Sequence, residues 1–489
     1  MKKISITVFT MIVSLHLLPG MAVAKSLKGS RPNIIFVLTD DQGMGDLSCM
    51  GNPIVRTPHI DRFYERATRF ADYHVSPTCS PTRSAIMSGR APFKNGVTHT
   101  IYRRERMALD VFTLPQVLQS AGYKTGLFGK WHLGEEDAYL PQNRGFGEVL
   151  LRSNDIRNVL PDDNNSRYVN NVLLHNNTIV QSKGFCTDVL FESALAWIKK
   201  QHRANVPYFA YISLNAPHGP FDTGPFKRRA RFIEAGYDER NAGRYGMIEN
   251  IDDNFGLLWS KLNEWKALDN TIVIFMTDNG MSMPPLKQNG VELPRFYAGL
   301  KGRKNTPNEG GTRVPAFWYW KGVLGEGVDI PALTAHIDLY KTFTELAGAT
   351  LPDQMQSLDG RSLLPLLEDP KADWPDRELF IHCGRWESGK RDEAIYVKSA
   401  VRTHRWRFVD NKELYDISKD PGETTNVASS HPEVIAELRK SYDKWWESVL
   451  PLMVNEGLPE IAPKNSSLGK QYFKQLDEQG IPEWAPSGL

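Results

Sequence analysis

The segment from Cys79 to Arg90 combines a cysteine with an arginine four residues later, a pair that could form part of an anion-binding or catalytic site. Pro81 fits the first turn of a helix and Gly89 fits its end, so the segment predicts a helix beginning at Cys79. Cys79 and Arg83 are four residues apart and would share one helix face. The free N–H groups of this helix end would point toward an anion beside Cys79. Because a cysteine at a helix start is more often a small buried apolar residue, the interpretation needs partners elsewhere in the chain.

Polar side chains follow four predicted strands. The runs from Asn33 to Leu38 and from Thr271 to Met276 are apolar and β-branched, which is typical of strands buried on both faces. The segments 124–128 and 208–214 predict two more strands. Side chains beyond the carboxyl ends of strands in an α/β sheet meet at one crevice. Those that follow these strands are Asp40, Asp41, Lys130, His132, His218, Asp278 and Asn279.

This set of side chains predicts a metal site beside an anion pocket. An aspartate after a strand is usually a loop or capping residue, and a lone histidine is usually structural, but here all lie at the same position relative to a strand. Three carboxylates and an amide oxygen suit a hard divalent cation, so calcium is expected first, magnesium second, and zinc is disfavoured. Arg83, Lys130 and a lysine of the segment 301–304 would leave a net positive charge for a tetrahedral anion.

With these residues in view, the chain resembles the formylglycine-dependent sulfatases, arylsulfatase-like members of the alkaline-phosphatase superfamily. The resemblance runs from about residue 32 to the stretch Asp416–Asn426, with five motifs in the order of the family. It implies that Cys79 is oxidised to formylglycine by a maturation enzyme. It also implies a set of calcium ligands, namely Asp40, Asp41, residue 79, Asp278 and Asn279.

The resemblance also implies catalytic roles for the basic residues. Arg83 would stabilise residue 79, and Lys130 and Lys304 would bind sulfate; Lys304 is preferred to Lys301 because it precedes the Glu-Gly-Gly turn by five residues. One hydroxyl of the hydrated aldehyde would attack sulfur. His132 would remove the proton of the second hydroxyl, and His218 would protonate the departing alcohol oxygen.

The alternation of strand and helix patterns predicts an α/β fold. We expect a large mixed, mostly parallel sheet sandwiched by helices, as in alkaline phosphatases, with helical patterns such as Asp188 to Lys200 and Tyr245 to Trp265. From about residue 377 the runs become short and alternating and end in a helical pattern from Pro432 to Val449. These patterns predict a catalytic domain over 25–376 and a smaller C-terminal domain, an antiparallel sheet plus helix, over 377–489.

The N-terminal segment 1–24 has the features of a signal peptide. Lys2 and Lys3 precede an apolar run that is too short to span a membrane, and Ala22-Val23-Ala24 offers a cleavage site. The protein is therefore expected to be exported, periplasmic or secreted, without a membrane span. Removal of the two lysines would equalise basic and acidic residues, which argues against a nucleic-acid partner. The four cysteines are widely spaced, and no structural disulfide is expected.

The substrate class is expected to be a sulfated glycan or its fragments. Arg385 and Trp386 are candidate substrate-binding residues because they combine a charge with an aromatic face. Two alternatives remain open: a formylglycine-dependent phosphonate or phosphodiester hydrolase, and a non-catalytic glycan-binding protein. The sequence predicts neither the sugar, nor the sulfated hydroxyl, nor end-acting against mid-chain cleavage, nor the oligomeric state.

Overall fold

A computed structural model describes residues 26–160, 168–221, 226–282 and 285–486. The predicted signal peptide lies outside these residues. The strands, in chain order, are β1 (Asn33–Thr39), β2 (Thr68–His74), β3 (Lys124–Gly129), β4 (Glu148–Leu151), β5 (Val172–His175), β6 (Thr178–Gln181), β7 (Tyr208–Ser213), β8 (Thr271–Thr277), β9 (Leu286–Gln288), β10 (Val291–Leu293), β11 (Ala316–Tyr319), β12 (Asp329–Ala335), β13 (Leu379–His382), β14 (Ser399–Arg402), β15 (Trp406–Val409) and β16 (Glu413–Asp416).

The α-helices alternate with these strands over most of the chain. They are α1 (Pro58–Arg66), α2 (Cys79–Ser88), α3 (Leu114–Ser120), α4 (Asn154–Val159), α5 (Cys186–Arg203), α6 (Phe226–Glu234), α7 (Glu239–Glu264), α8 (Glu309–Thr312), α9 (Asp338–Ala347), α10 (Leu364–Glu368), α11 (Pro432–Val449) and α12 (Ser467–Gln479). Among the described helices, none combines the length and apolar character needed to cross a bilayer.

Ten strands form one sheet in the order β12-β2-β11-β8-β1-β7-β3-β4-β5-β6. The central strands β8, β1, β7, β3 and β4 are all parallel to their neighbours in this series. Antiparallel pairing begins at β11 on one side and at β5 on the other. The large mixed, mostly parallel sheet is confirmed. The direction of β11 was not predictable, since an apolar run does not encode the direction of its strand.

The residues of β1 explain why this strand lies at the centre of the sheet. All seven are buried, and successive side chains of a strand point to opposite faces. Ile34, Phe36 and Leu38 enter one apolar cluster, whereas Ile35 and Val37 enter another on the opposite face. Each such buried side chain contributes about 1.5–3 kcal/mol relative to an exposed one. The two clusters also contain residues of α3 and α9 on one face and of α1, α5 and α7 on the other, so the sheet is sandwiched by helices.

The predicted small sheet is also present. Strands β13, β14, β15 and β16 pair antiparallel in that order, and α11 packs on them through residues such as Tyr442 and Trp445. Strand β16 was not predicted. It follows a tight turn in which Asp410 and Asn411 have φ values of 49° and 55°, the left-handed conformation that two-residue hairpin turns require.

The segment after the small sheet returns to the large one. In α12, the Gln475 side chain donates to the Ile179 carbonyl at 2.6 Å and accepts from the Ile179 N–H at 2.9 Å. The Gln181 N–H donates to the Pro482 carbonyl at 2.9 Å. The division of the chain at residue 377 stays a prediction. Part of the segment assigned to the smaller domain nevertheless packs on strand β6, at the edge of the larger sheet.

Candidate active site

The carboxyl ends of four adjacent strands carry the polar residues that the sequence indicated. Strands β8, β1, β7 and β3 lie side by side, so their ends form one edge. The Asp41 N–H donates to Asp278 Oδ1 at 3.1 Å, which joins the β1 and β8 ends. The Lys130 ammonium donates to Asp40 Oδ2 at 2.5 Å, which joins the β3 and β1 ends. The structure therefore brings the aspartates and Lys130 together.

Helix α2 delivers Cys79 and Arg83 to the same place. The helix begins at Cys79, and Gly89 ends it with a φ of 67°. Arg83 is completely buried and donates to Asp278 Oδ2 from both Nε and Nη2, at 3.1 and 2.7 Å. Its Nη1 donates to the Lys130 carbonyl at 3.2 Å and to the Ser213 hydroxyl. This ion pair, in which two guanidinium N–H groups share one carboxylate oxygen, fixes the helix start against the strand ends.

The buried carboxylates fit a divalent cation. Ligand atoms of Asp40, Cys79 and Asp278 lie within 4.8 Å of one another. Asp40 Oδ1 and Asn279 Oδ1 are buried and have no hydrogen-bond partner among the described residues, which is expected of oxygens that bind a metal ion. Burial and the neighbouring Asp40 carboxylate raise the pKa of Asp278 well above its usual value, against the effect of Arg83. A bound calcium ion would offset this repulsion between like charges, and both unpartnered oxygens could bind to it.

The thiol of Cys79 lies in a positive environment. The residue is 1% exposed. Burial acts to raise the pKa of the thiol, but the Lys130 and Lys304 ammonium groups outweigh it, and the pKa falls below its usual value. The same charges would stabilise any anion held at residue 79.

His132 is buried and held in one tautomer. Its Nε2 lies 2.7 Å from the Thr100 carbonyl oxygen, which only accepts, so Nε2 carries the proton. Its Nδ1 is buried and finds no partner in the part of the chain that the structure describes, so it has a free lone pair. Burial, Lys130 and Arg83 lower the pKa of His132 well below its usual value. The neutral imidazole can thus accept a proton at Nδ1.

His218 has different surroundings. Its side chain is 41% exposed, and Nε2 lies 3.6 Å from Asp41 Oδ2. Its Nδ1 lies 2.9 Å from the Gly219 carbonyl oxygen and donates to it. The ring therefore sits at the open side of the site, next to a carboxylate and accessible to a substrate.

Lys304 rather than Lys301 enters the site. The Lys304 ammonium donates to Asp41 Oδ1 at 2.5 Å, whereas Lys301 donates to the Tyr415 hydroxyl of the small sheet at 2.6 Å. The segment carrying Lys304 packs tightly on the β8 end. A Cβ on Gly280 would lie 1.9 Å from the Gly310 carbonyl oxygen, so only glycine fits between Asn279 and the Glu-Gly-Gly turn.

Glu309 ties this segment to the small sheet. Its Oε1 accepts from Arg402 Nε at 2.8 Å and from Arg407 Nε at 3.0 Å. Arg402 also donates to Asp72 of β2. Burial alone would raise the pKa of Glu309, but Arg407 and Arg402 hold that pKa below its usual range. Three parts of the chain thus meet at one buried carboxylate: the lysine segment, the large sheet and the small sheet.

A cavity of about 340 Å³ opens onto these residues. Cys79, His132, His218 and Arg385 are among its lining residues, so the structure places the predicted Arg385 in the site. It does not place Trp386 there. This side chain is 7% exposed within the apolar cluster of the small sheet and donates to Glu456 Oε2 at 2.6 Å.

Two residues of the site were not predicted from the sequence. Ser213 ends β7 and donates to the Lys130 carbonyl at 2.7 Å while accepting from Arg83. Arg152 follows β4 directly and lines the cavity. Both occupy the strand-end position that identified Asp40 and Lys130. That position is the signal by which they could have been found.

Comparisons with known proteins agree with this geometry. The profile of the family described as Sulfatase matches residues 32–349, and that of the N-sulphoglucosamine sulphohydrolase C-terminal family matches residues 304–447. N-acetylgalactosamine-6-sulfatase of Homo sapiens is 32% identical over 433 residues, which cover 82% of this chain and 77% of the relative. Arylsulfatase A of Homo sapiens is 30% identical over 486 residues, which cover 87% and 89%.

A solved structure extends the similarity to three dimensions. The crystal structure of Ps i-CgsB in complex with k-i-k-neocarrahexaose has a TM-score of 0.73 and 26% identity, covering 92% of this chain and 98% of the other. The family profile matches well over half of the chain, and the similarity of fold covers nearly all of it. The chain therefore belongs to the sulfatase family and is a sulfuric ester hydrolase.

Proposed function

We propose that this protein removes sulfate from sulfated glycans or their oligosaccharide fragments, using calcium and a formylglycine made from Cys79. The observation that carries the proposal is the buried start of α2, where Cys79 and Arg83 meet three carboxylates and two lysines. The relatives support the substrate class, since one is named for a sulfated amino sugar and a structural neighbour was solved with a neocarrahexaose.

Asp40, Asp41, Asp278, Asn279 and residue 79 would hold the calcium ion. The hydrated formylglycine would supply a hydroxyl nucleophile toward sulfur, and calcium would make that hydroxyl more acidic. A maturation enzyme must act on Cys79 before burial, because the folded thiol is 1% exposed. The segment 1–24 would direct the chain to export, to the periplasm or outside the cell.

The remaining polar side chains would have two roles, the stabilisation of negative charge and the transfer of protons. Arg83, Lys130 and Lys304 would bind the sulfate oxygens and stabilise the negative charge that spreads over them. His132 would accept a proton at its unpartnered Nδ1. His218 would donate a proton from Nε2 to the departing sugar oxygen, since this nitrogen lies beside the Asp41 carboxylate and its side chain is 41% exposed.

The modification and the metal can be tested together. We expect Cys79→Ala to fold with an unchanged Tm and to lose essentially all turnover of an aryl sulfate. The tryptic peptide containing residue 79 of the wild-type protein should have the mass of formylglycine. Chelation should abolish activity, and calcium should restore it better than zinc. Near-normal activity of Cys79→Ala, or full activity after complete demetallation, would contradict the proposal.

A panel of defined sulfated oligosaccharides would then identify the sugar. The same panel should include a phosphonate ester, because a formylglycine-dependent phosphonate hydrolase would share every group described above. We expect the sulfate esters to be turned over faster. Tight binding of the oligosaccharides without release of sulfate would instead indicate a glycan-binding protein.

A further inference from the structure

Among the residues that the structure describes, Arg152 is a buried cation without a counter-ion. The residue is 6% exposed, and its Nη2 has no hydrogen-bond partner. Within the described part of the chain, no carboxylate forms an ion pair with it. A guanidinium stays charged at any relevant pH, and a buried unpaired charge is costly. Its contact with the Tyr168 ring, 4.8 Å from the ring centroid, offsets only part of this cost.

The location of Arg152 is the leaving-group side of the active site. The residue follows β4, which neighbours β3, and it lines the cavity together with Cys79 and His218. The Tyr168 hydroxyl lies 2.7 Å from the carbonyl oxygens of both Asn215 and His218. Arg152 therefore stacks on the residue that holds the His218 loop, on the side where the sugar alcohol would depart.

Two described carboxyl groups at the start of α4, those of Glu135 and Asp155, line the same cavity but form no ion pair with Arg152. Glu135 caps the start of α4, accepting from the N–H groups of Asn154 and Asp155 at 2.9 Å and from the Ser153 hydroxyl. Burial, together with Asp155, raises the pKa of Glu135 to about 7, so its negative charge is diminished. Burial also raises the pKa of Asp155. A second cation, Arg157 of α4, lines the same cavity and adds to the positive charge.

We propose that Arg152 binds a second anionic group of the substrate, a sulfate or a carboxylate, on the sugar alcohol side of the ester. This inference rests on the proposed function. The substrate would then be a sugar that carries two negative charges, the scissile sulfate at residue 79 and a second one at Arg152. The fork of guanidinium N–H groups matches the paired oxygens of either anion. Arg152 is thus a specificity-determining residue.

The test compares matched substrates. Three esters of one sugar series are needed: a neutral sugar monosulfate, the same sugar with a second sulfate, and a monosulfate linked to a uronic acid. We expect the wild-type protein to favour one of the doubly charged esters in kcat/KM, and the identity of that ester distinguishes sulfate from carboxylate. In Arg152→Met this preference should fall by about 10- to 100-fold, mainly through KM. Arg152→Lys should lie between, because it keeps the charge without the fork.

Further measurements separate specificity from stability. Removal of an unpaired buried charge should leave the Tm of Arg152→Met unchanged or higher, whereas a structural role predicts a lower Tm and equal losses on all esters. Arg439→Met, an exposed arginine of α11, is the matched control and should keep the preference. A wild-type protein without preference for a second charge would overturn the proposal.

If the wild type fails even on an aryl sulfate, the proposed function fails instead. Calorimetry of both doubly charged esters with Cys79→Ala and with Cys79→Ala/Arg152→Met then decides the role of Arg152, which is overturned if neither ester binds more tightly to the variant that keeps Arg152.

Discussion

Two histidines at the ends of neighbouring strands have opposite surroundings. His132 and His218 follow β3 and β7 in the sequence and look equivalent there. In the structure His132 is buried and neutral with one free lone pair, whereas His218 is partly exposed beside Asp41. A buried neutral imidazole suits proton removal, and an accessible one beside a carboxylate suits proton donation.

This difference predicts how His218 affects leaving groups. His218→Ala should slow esters of sugar alcohols far more than an activated aryl sulfate, because a good leaving group needs little protonation. General-acid help is typically worth about 10²–10⁴-fold, so the ratio of sugar to aryl turnover should fall by about that factor. Steady-state kcat on both substrates measures it. An equal loss on both substrates would assign His218 to sulfate binding instead.

At the scale of elements, the β8 end and the Lys304 segment depend on close backbone approach. The Gly280 N–H donates to the Gly311 carbonyl at 3.0 Å, and Gly280 leaves no room for a side chain. We expect Gly280→Ala to displace the Glu-Gly-Gly turn, to lower the Tm and to lower calcium affinity through Asn279. Gly457→Ala is the control, since a Cβ there meets nothing within 4 Å. Calcium titration monitored by calorimetry gives the readout, and an unchanged affinity would show that the turn adapts.

The buried histidine at the end of β13, His382, is expected to make the stability of the protein depend on pH. His382 is buried, its Nε2 donates to the Ala394 carbonyl at 2.9 Å, and its Nδ1 accepts from the Gly384 N–H at 2.8 Å. Protonation of Nδ1 would remove this acceptor, and burial lowers the pKa of His382 to about 4. The unfolded chain, with a pKa near 6.5, binds the proton more readily. The contribution of His382 to the free energy of unfolding is therefore fully present above the unfolded pKa and is lost as the pH falls toward 4.

The expected loss from His382 between pH 7 and pH 5 is about 2 kcal/mol. His382→Gln should lose less stability than the wild type over that interval, by about this amount. Urea unfolding at the two pH values measures both slopes. Identical slopes for wild type and His382→Gln would assign the acid sensitivity to other buried histidines.

The sequence predicted those elements whose burial is uniform. Strands β1, β7 and β8 are buried along their whole length, and β3 is buried from Thr125 onward. Their apolar stretches are the reason that the polar residues at their ends could be recognised together. Strand β4 has only four residues, so Arg152 was not seen as a strand end. The hairpin of β5 and β6 lies in a polar stretch without strong periodicity. Glu309 was missed because its partners, Arg402 and Arg407, are about 100 residues away, a distance that no local pattern encodes.

At the scale of the whole molecule, Glu309 connects the two sheets. Arg402 of β14 is 1% exposed and pairs with both Glu309 and Asp72. Arg402→Met would leave these carboxylates partly uncompensated, and breaking a buried pair costs roughly 3–5 kcal/mol. We expect urea unfolding to show this loss. Turnover should fall as well, because Glu309 anchors the segment that carries Lys304.

Arg405→Met is the matched control for Arg402. Arg405 pairs with Asp416 in the same small sheet, but its side chain is 49% exposed, and such pairs are worth about 0–1 kcal/mol. An Arg402→Met protein as stable as the control would mean that Arg407 alone compensates Glu309.

The segment that follows the small sheet has a consequence for assembly of the chain. Strand β6 is the last of the ten-stranded sheet, and Pro482 and Trp484 hydrogen-bond to its Gln181. An uncovered strand offers free N–H and C=O groups to a second chain, which favours aggregation. The covering segment lies about 300 residues downstream, so a growing polypeptide exposes this strand edge until residues 482–484 have been synthesised. Folding without aggregation, rather than catalysis, is therefore the property most sensitive to substitutions in residues 467–484.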